Sequence, residues 1–548
     1  MTTADGSTST RDGADGNLWR QALWILLAST LLRLVLAVLV PLFPDEAYYW
    51  EWSRRLAGGY FDHPPAIALL IAGGTALLGD TALGVRVLPI LAGTFAGFWL
   101  VRTACHLAGP RAARYTALIF AVLPLAAGGL VLATPDAPLL AGIAWTLYAV
   151  VRALDVENAE WSVTAYWLVA GVAIGAAMAS KFTGVLVPVA IVIAMLAHAP
   201  LRARLAHAGP WLAVAVASLV MVPVLWWNAQ HDWVAFVFQL GHGLGTTARG
   251  NWFGRELELI GGQAGLVTPI LFVLLLGATW RALFPPRDDG RDSPDPMPPS
   301  RLGGRDARDP VRFTLAVVTA FCLLFFMYSA TRKSVEANWP AIAWMPAIML
   351  LGAARRGLRT AWERRALWLA GALTAAALVH VVVPIFPLPA RRDQVSKAHG
   401  WDRLAAAVED SRTRWDASPT PAAGPRRTAG APSFLATNRY QDAAMLAFHL
   451  DDHPTLYSLN LGARHNQYDL WPGFTDRAQV GASMLLVLEE PAEGLPGPIQ
   501  RLTGHFASIE PGELVRLTRA SPTRGEEYVG RRRLWRLEGW SGTWPADP

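Results

Sequence analysis

Several chemically capable side chains stand in one short stretch of the chain, residues 41–70, which reads PLFPDEAYYWEWSRRLAGGYFDHPPAIALL. Its charged candidates are Asp45, Glu46, Glu51, Asp62 and His63. A carboxylate beside a bound hydroxyl group can act as a general base. Acidic residues contribute little to membrane topology, so insertion into a bilayer does not account for these carboxylates. Asp45 and Glu46 are therefore candidate catalytic acids or bases.

The aromatic part of this stretch, AYYWEWSRRL, allows a second interpretation. It could form an amphipathic helix in the membrane interface, with an aromatic belt that includes Tyr48. Asp45 and Glu46 fit this interpretation less well, because Pro44 fixes a chain turn directly before them. Tyr48 and Tyr60 are also candidates for lining a substrate cavity.

Another acid, Asp136, lies in the segment LATPDAPLL between two apolar runs. A carboxylate at the rim of a membrane is costly unless it is paired or solvated, which favours an aqueous cavity around it. The alternative is a helix N-cap, since aspartate is a preferred residue there. Both interpretations can hold at once.

Lysine is rare in this chain, which has Lys181, Lys333 and Lys397 and otherwise uses arginine. Lys181 interrupts two apolar runs in ASKFTG, and Arg332 with Lys333 stands in YSATRKSVEANWP. An ammonium or a guanidinium at an outer helix end can bind a phosphate group. The alternative is a cation that only reaches the membrane surface from a helix end.

Three further residues could line the same cavity. Arg33 is a charge inside the first apolar run, and an intramembrane charge is a functional hypothesis by default. His231 lies in WWNAQHDW, and Asn338 lies in the segment that carries Lys333.

These side chains have to be positioned by membrane helices. The chain has 548 residues, of which 53% are hydrophobic and 16% charged, whereas a soluble domain carries roughly a quarter charged residues. Spanning helices need about 20 apolar residues. Eleven segments, or up to thirteen, are candidates, and the eleven are 19–42, 82–104, 113–132, 137–154, 162–179, 182–198, 210–227, 258–280, 311–329, 339–354 and 366–387. The sequence predicts a polytopic α-helical membrane protein.

Charge in the loops predicts the orientation, because Lys and Arg accumulate on the cytoplasmic side. Most loop arginines fall on one side, including those at 202, 204, 355, 356 and 359. A cytoplasmic N-terminus follows. The predicted parts are a disordered cytoplasmic tail (1–17), a transmembrane catalytic domain (18–387) with a first periplasmic loop (43–81) and a flexible cytoplasmic linker (284–310), and a periplasmic domain (388–548).

The last part differs in composition from the rest. Short apolar runs alternate with turn residues, which predicts strands in PSFLATN, TLYSLN, GASMLLVLEE, FASIEPGELVRLT and YVGRRRLWRLEGW and a helix in YQDAAMLAFHL. This pattern indicates a soluble α/β domain with a largely antiparallel second half. The basic residues form no basic domain, so a nucleic-acid partner is not expected.

Together, the motifs FPDEAYYW…YFDHPP, TPDAP and SKFTG resemble bacterial members of glycosyltransferase family 39 and their protein mannosyltransferase relatives. They are also similar to the lipid A aminoarabinose transferases, which share the membrane GT-C fold. The resemblance implies a polyprenyl-phosphate sugar donor of the undecaprenyl type and transfer at the periplasmic face of the bacterial cytoplasmic membrane.

The resemblance also implies roles for individual residues. Asp45 would be the catalytic base with Glu46 as its support, and Asp136 the second acid of the cavity. Lys181, with Arg332 and Lys333, would hold the donor phosphate. Asp62 and His63 stand where the aminoarabinose transferases have an acid and a base before Pro-Pro, with the acid associated with a metal and the base with phosphate. Because a histidine replaces the base, His63 is left with two roles: phosphate binding, or a divalent metal site with Asp62 and Glu46.

The same residues predict an inverting glycosyltransferase, since one base and several cations support a single displacement at the anomeric carbon. The acceptor would be an envelope lipid, glycan or protein. No nucleotide cofactor is expected, because the chain has no Gly-rich phosphate loop. The alternatives are a transporter or flippase of lipid-linked sugars, a polysaccharide ligase or polymerase with a lipid pyrophosphate donor, and a binding protein that scaffolds an envelope complex.

Overall fold

The computed structural model describes residues 6–155, 160–245, 251–285, 309–354, 360–390, 392–417 and 434–545. The chain divides into two compact units. The first comprises residues 1–37, 57–77 and 83–378, and the second comprises residues 38–56, 78–82 and 379–548. Most of the predicted linker 284–310 lies outside the described residues.

The first unit is helical. Its α-helices are Gly6–Leu39, Ala66–Leu78, Ala82–Ala108, Pro110–Val122, Pro124–Ala127, Asp136–Asp155, Glu160–Met178, Leu186–Ala197, Ala199–Arg202, Ala208–Gln230, Val234–Leu244, Trp252–Leu266, Pro269–Leu283, Pro310–Arg332, Ala341–Ala354 and Ala361–Val382, with 3-10 turns at Phe182–Val185 and Ala203–Ala206. The core that these helices enclose is apolar, and the helix Ala341–Ala354 is buried around its whole circumference. Such a helix packs against protein on every side.

Six helices in the described part of the chain are long and apolar enough to cross a membrane, or up to eight spans if each of two bent pairs counts as one. Three shorter apolar helices accompany them, Ala66–Leu78, Ser162–Met178 and Ala341–Ala354. The chain is thus a multi-pass membrane protein. The predicted number of about eleven spans remains a prediction.

Two predicted spans differ from the observed helices because of prolines. The segment 113–132 is not one helix: Pro110–Val122 ends at Leu123, whose backbone is extended (φ −73°, ψ 129°) before Pro124. A residue that precedes proline is driven out of the helical region. Similarly, the segment 258–280 breaks at Pro269, where the two halves bend by 100°.

The N-terminal prediction is also corrected. Residues 6–17 were expected to be part of a disordered tail, but the first helix already begins at Gly6. Once an apolar span has formed a helix, each added residue gains a hydrogen bond without a new nucleation cost. The polar residues before the span therefore extend the helix.

The second unit contains a five-stranded sheet with the order β2-β1-β3-β5-β4. Its strands are β1 (Phe434–Thr437), β2 (Leu456–Ser458), β3 (Met484–Glu489), β4 (Phe506–Ser521) and β5 (Gly525–Trp540). β1 pairs in parallel with β2 and β3, whereas β5 is antiparallel to β3 and β4. The strands lie where the alternating pattern predicts them, and the second half of the sheet is antiparallel as expected.

Helices complete the second unit. They are Pro44–Ser53, Trp401–Ala417, Tyr440–His449, Phe474–Arg477 and Gly497–Leu502, with 3-10 turns at Gln394–Ala398 and Gln467–Leu470. Alternate residues of β3 and β5, such as Leu486, Trp535 and Leu537, form the apolar core of this unit. Residues 38–56, which carry Asp45, thus belong to the same compact unit as the sheet.

Candidate functional site

A buried ion pair lies in the first unit. The Lys181 Nζ atom is 2.7 Å from Oδ1 of Asp136, and the Asn338 side-chain amide donates to Oδ2 of the same carboxylate at 2.5 Å. Asp136 and Lys181 are 9% and 7% exposed, whereas Asn338 is exposed. Three residues that were separate candidates in the sequence therefore form one cluster with access to solvent on the Asn338 side.

Helix packing explains how Asp136 and Lys181 meet. The helices Asp136–Asp155 and Glu160–Met178 pack so closely that a Cβ atom on Gly142 would lie 2.8 Å from the backbone nitrogen of Ala177. Only glycine allows this approach. Asp136 begins the first helix, and Lys181 follows the end of the second in an extended conformation (φ −156°, ψ 134°).

The cluster has a defined chemical character. Both oxygens of Asp136 accept hydrogen bonds, one from Lys181 and one from Asn338. Lys181 has three N–H donors, one of which binds Asp136. The other two can bind a further anion. A buried pair such as this one is stable only while both charges are present.

The segment that carries Asn338 is held from the helix Trp252–Leu266. Arg255 donates from Nε to the Ala330 carbonyl at 2.9 Å and from Nη2 to the Thr331 carbonyl at 2.7 Å. Gln263 is 3% exposed, donates to the Ala337 carbonyl at 2.8 Å and accepts from the Trp344 indole at 2.9 Å. Arg255 and Gln263 thus fix both ends of the loop. Sequence reasoning missed Gln263, although a glutamine in an apolar run is a signal of a buried hydrogen-bonding site.

Arg332 and Lys333 lie at the end of the helix Pro310–Arg332, both half-buried. The Arg332 guanidinium stacks over the Tyr328 ring, 5.3 Å from its centroid. The Lys333 backbone N–H donates to the Ser329 carbonyl and ends the helix. Their helix-end position agrees with the expectation, and their proposed contact with phosphate remains a prediction.

The YFDHPP segment forms a tight loop in the first unit. Tyr60 is fully buried, its hydroxyl accepts from the Ala57 N–H at 3.1 Å, and burial raises its pKa to about 12. Asp62 is 7% exposed, and its backbone carbonyl accepts from Gln239 at 2.6 Å. The Tyr60 N–H donates to the His63 carbonyl at 3.1 Å. These contacts give Tyr60 a structural role.

This loop packs closely on the helix Ala208–Gln230. A Cβ atom on Gly59 would lie 2.8 Å from the Trp227 ring, so glycine is required there. His231 also stacks on the Trp227 ring, with a 4.1 Å distance between ring centroids, and its Nδ1 atom lies 2.8 Å from the Trp227 carbonyl. His231 is therefore held on Trp227.

Arg33 was expected to line the cavity, but its contacts in the structure are within its own helix and with neighbouring helices. It is 1% exposed, donates from Nε to the Ala126 carbonyl at 3.0 Å and donates from Nη2 to the Ser29 hydroxyl at 2.9 Å. Its guanidinium also lies over the Phe120 ring. Arg33 thereby satisfies a backbone carbonyl in the short helix that follows the break at Pro124.

In the second unit, the neighbours Asp45 and Glu46 differ sharply. Glu46 is 1% exposed and accepts from the Phe43 N–H at 3.0 Å, so it caps the helix Pro44–Ser53. Asp45 is exposed and lines a cavity within this unit. The Pro44 position and the glutamate two residues later are a sequence signal for this cap. Of the two carboxylates, Asp45 is the one that lines the cavity.

The rest of this helix is buried rather than interfacial. Trp50 and Trp52 are fully buried, and the Tyr48 ring packs on Tyr440 at 4.5 Å while its hydroxyl accepts from the Gln467 N–H at 2.7 Å. Glu51 is 1% exposed, and burial raises its pKa although Arg54 lies at 2.7 Å. An interfacial aromatic belt is therefore corrected to a helix packed within the second unit, and Tyr48 is structural.

The candidate ligands of a divalent metal are Asp62, His63 and Glu46. In the described ranges, no group of three or more His, Cys, Asp or Glu side chains is placed to hold a metal ion. One oxygen of Glu46 is already used in capping its helix. The carboxylate and imidazole chemistry of Asp62 and His63 does not by itself form such a site.

Comparison with solved structures identifies the architecture. The chain matches ArnT from Cupriavidus metallidurans in the apo state with a TM-score of 0.60 at 16% identity, over 94% of this chain and 97% of that one. ArnT bound to undecaprenyl phosphate matches with a TM-score of 0.61 over the same shares. The fold is that of a GT-C glycosyltransferase. The resemblance seen in the sequence motifs is confirmed.

Sequence comparisons agree with this fold. Residues 62–227 match the family described as dolichyl-phosphate-mannose-protein mannosyltransferase. The chain is also 31% identical, over 338 residues, to lipid A galacturonosyltransferase RgtD of Rhizobium johnstonii. This alignment covers 60% of the chain and spans 64% of the relative's length. Asp136 and Lys181 fall within the segment that matches the mannosyltransferase family.

Proposed function

We propose that this protein is an inverting glycosyltransferase that transfers a sugar from a polyprenyl phosphate to an envelope glycolipid. The observation that carries the proposal is the buried cluster of Lys181, Asp136 and Asn338, within a chain that has the GT-C fold. A lysine side chain that is held by a carboxylate and has two further N–H donors suits a phosphate group.

The relatives suggest the substrates. One solved ArnT structure contains undecaprenyl phosphate, and RgtD is a lipid A galacturonosyltransferase. Undecaprenyl phosphate galacturonic acid and lipid A are therefore the donor and acceptor to test first. The proposed location is the bacterial cytoplasmic membrane, with the N-terminus in the cytoplasm and the reaction on the periplasmic side.

The proposed reaction is a single displacement. Asp45 accepts the proton of an acceptor hydroxyl, and the hydroxyl oxygen forms a bond to the anomeric carbon. The bond between that carbon and the phosphate oxygen breaks, the electron pair stays on this oxygen, and polyprenyl phosphate leaves. Lys181 stabilises the charge that develops on the phosphate, and Arg332 with Lys333 supplies further positive charge. One displacement inverts the anomeric configuration.

Asp136 and Asn338 act on Lys181 rather than on the sugar in this proposal. Asp136 fixes the ammonium through Oδ1, and Asn338 fixes the carboxylate through Oδ2. Groups held in place before the reaction lower the cost of reorganisation in the transition state. Glu46 supports Asp45 indirectly by capping the helix on which Asp45 lies.

The test is transfer by the full-length protein reconstituted in proteoliposomes, with a synthetic undecaprenyl-phosphate sugar inside or outside the vesicles and lipid A as acceptor. A glycosyltransferase forms a sugar-modified lipid A with inverted configuration and releases undecaprenyl phosphate. Movement of intact lipid-linked sugar across the bilayer without transfer would support a flippase. Use of a pyrophosphate donor alone would support a ligase.

A further inference from the structure

A cavity of about 1190 Å³ lies within the second unit, and Asp45 forms part of its wall. The other walls come from Ala390, from residues 393–401, from residues 439–442, from the loop after β3 and from β5. Ligand sites in proteins measure roughly 300–1,000 Å³. The cavity is therefore large enough for a disaccharide-sized head group.

Most charges on the cavity wall are already neutralised. Four of its carboxylates pair with arginines: Glu489 with Arg439 at 2.9 Å, Asp442 with Arg532 at 2.7 Å, Glu490 with Arg533 at 2.9 Å, and Asp393 with Arg519. A paired carboxylate repels an incoming anion less than a free one does. These four acids thus do not exclude a negatively charged ligand.

Two cations on the wall are not neutralised in this way. Lys397 is exposed. Arg531 donates from Nε to the Glu490 carbonyl at 3.3 Å and from Nη2 to the Pro491 carbonyl at 2.6 Å. Across the described ranges of the chain, neither pairs with a carboxylate. The cavity wall therefore carries two cations that pair with no carboxylate in the described ranges, alongside the carboxylate of Asp45.

A third polar group on the wall is also uncommitted. The Nε2 atom of His399 is buried and has no hydrogen-bond partner among the residues that the structure describes. An unpaired buried polar atom costs free energy unless a ligand or water satisfies it. The Nε2 atom of His399 is therefore placed on the wall to form a hydrogen bond with a hydroxyl or phosphate group of a ligand.

We infer that this cavity binds the phosphorylated sugar head group of the acceptor, with Lys397 and Arg531 contacting its phosphate. The inference rests on the proposed function, because it identifies the acceptor side of the same reaction. A sugar is favoured over free phosphate because the ligand has to present a hydroxyl group to Asp45. An arginine fork and a lysine point charge are both suited to phosphate.

Binding is tested with the purified full-length protein and isothermal titration calorimetry. The probes are a glucosamine disaccharide bisphosphate without acyl chains, the same disaccharide without phosphate, and inorganic phosphate. The bisphosphate should bind more tightly than either of the other two. Lys397→Ala should weaken its binding by about tenfold to a hundredfold, the usual loss for a hydrogen bond to a charged group, and Lys397→Arg should restore most of it.

Arg477→Ala is the matched control, because Arg477 is an exposed arginine of the same unit that does not line the cavity. Arg531→Ala is compared with Arg531→Lys, which keeps the charge if the loss of backbone contacts disturbs the fold. Equal binding of the phosphorylated and plain disaccharides, or wild-type binding by Lys397→Ala, would overturn the inference. Tighter binding of inorganic phosphate than of the bisphosphate would do so too.

Kinetics separate this inference from the proposed function. In the transfer assay, Lys397→Ala should raise the KM for lipid A about tenfold or more and leave the KM for the donor unchanged. An unchanged KM for lipid A in an active enzyme would refute the acceptor site alone. A wild-type protein that binds the bisphosphate but transfers no sugar would refute the proposed function alone.

Discussion

At the scale of single residues, Asp45 and Glu46 are adjacent in sequence but differ in exposure. The exposed Asp45 lines a cavity, whereas the buried Glu46 caps its helix. We expect Asp45→Asn to lower turnover by about 10²–10⁴, the usual contribution of a general base, with donor binding retained. Turnover with a radiolabelled donor measures the first effect, and lipid pull-down measures the second.

Two neighbouring carboxylates serve as controls for Asp45. Glu46→Gln should lower the melting temperature modestly, because a helix cap contributes about 1 kcal/mol. It should also lower turnover less than Asp45→Asn does. Glu51→Gln should change turnover least, because Glu51 is buried against Arg54. A fully active Asp45→Asn protein, or a product with retained anomeric configuration, would rule out the proposed mechanism.

The pair formed by Lys181 and Asp136 allows a sharper residue-scale experiment. Lys181→Ala leaves a buried carboxylate without its counter-ion, which costs about 3–5 kcal/mol of stability, and Asp136→Asn leaves the ammonium uncompensated. The double variant removes both charges, so it should be more stable than Lys181→Ala alone. Because the double variant still lacks the lysine that binds the donor phosphate, its KM for the donor should remain high.

Thermal unfolding and donor KM for the wild type and the three variants complete the cycle. If Lys181 served the fold alone, the double variant would recover activity together with stability. If Lys181 binds the donor, the double variant should recover stability but not activity. Lys333→Ala is a useful comparison, since this lysine is half-buried at another helix end.

The sequence indicated Asp136, Lys181 and Asn338 as candidates from their residue types, but it did not predict that they contact one another. Asp136 and Lys181 were recognisable as costly charges beside apolar runs, yet their pairing depends on the close helix packing at Gly142. Nothing local to Asn338 indicates that it binds a residue 202 positions away. Long-range contacts of this kind arise from the packing of whole helices.

At the scale of elements, the strands of the second unit were predictable because short apolar runs between turn residues are typical of strands. Helix ends were predicted less well. Pro124 and Pro269 interrupt runs that are apolar enough to span a membrane. Hydropathy averages over such a proline, whereas the backbone cannot continue a regular helix through it.

The helix Trp252–Leu266 positions the loop that carries Asn338, and Gln263 is its buried contact. Gln263→Leu leaves the Ala337 carbonyl and the Trp344 indole without partners, at about 1–3 kcal/mol each. We expect a lower melting temperature and a lower kcat, because Asn338 is then less firmly held. Gln230→Leu, at an exposed position on a helix end, should change neither. Wild-type kcat in Gln263→Leu would show that this helix does not position the site.

The segment before the helix Trp401–Ala417 is tied to β4 by Asp393, which contacts Arg519 and His380. Burial opposes the charge of Asp393, but the hydrogen bonds from Arg519 and the Val395 N–H lower its pKa below the ordinary 3.8. A carboxylate with a lowered folded-state pKa stabilises the fold above its unfolded pKa and loses that effect as pH falls through the folded value.

Asp393→Asn should therefore lower the melting temperature at neutral pH, and its difference from wild type should shrink once the pH falls below about 3.8. Melting curves from neutral pH to about pH 3 measure this window. Asp451→Asn, at an exposed acid in the same unit, should show no such pH-dependent difference. A gap between Asp393→Asn and wild type that persists at low pH would assign the effect to shape rather than charge.

At the scale of the whole molecule, the number of membrane crossings decides on which side each terminus lies. Six helices of the described chain, or up to eight spans with the two bent pairs, are long and apolar enough to cross. Both numbers are even, and an even number places both termini on one side. The three shorter apolar helices would raise the total to eleven if each of them crossed, because short spans can be accommodated by local bilayer thinning.

Arginine-rich loops favour a cytoplasmic N-terminus, and we predict a periplasmic C-terminus, hence an odd number of crossings. Alkaline phosphatase, which folds only in the periplasm, should be active when fused after residue 548 and inactive when fused within residues 286–308. Green fluorescent protein at the same two points should give the opposite pattern, which controls for expression. Fluorescence at residue 548 would mean an even number of crossings. It would place the cavity that Asp45 lines in the cytoplasm, where transfer from a periplasmic lipid-linked donor could not occur.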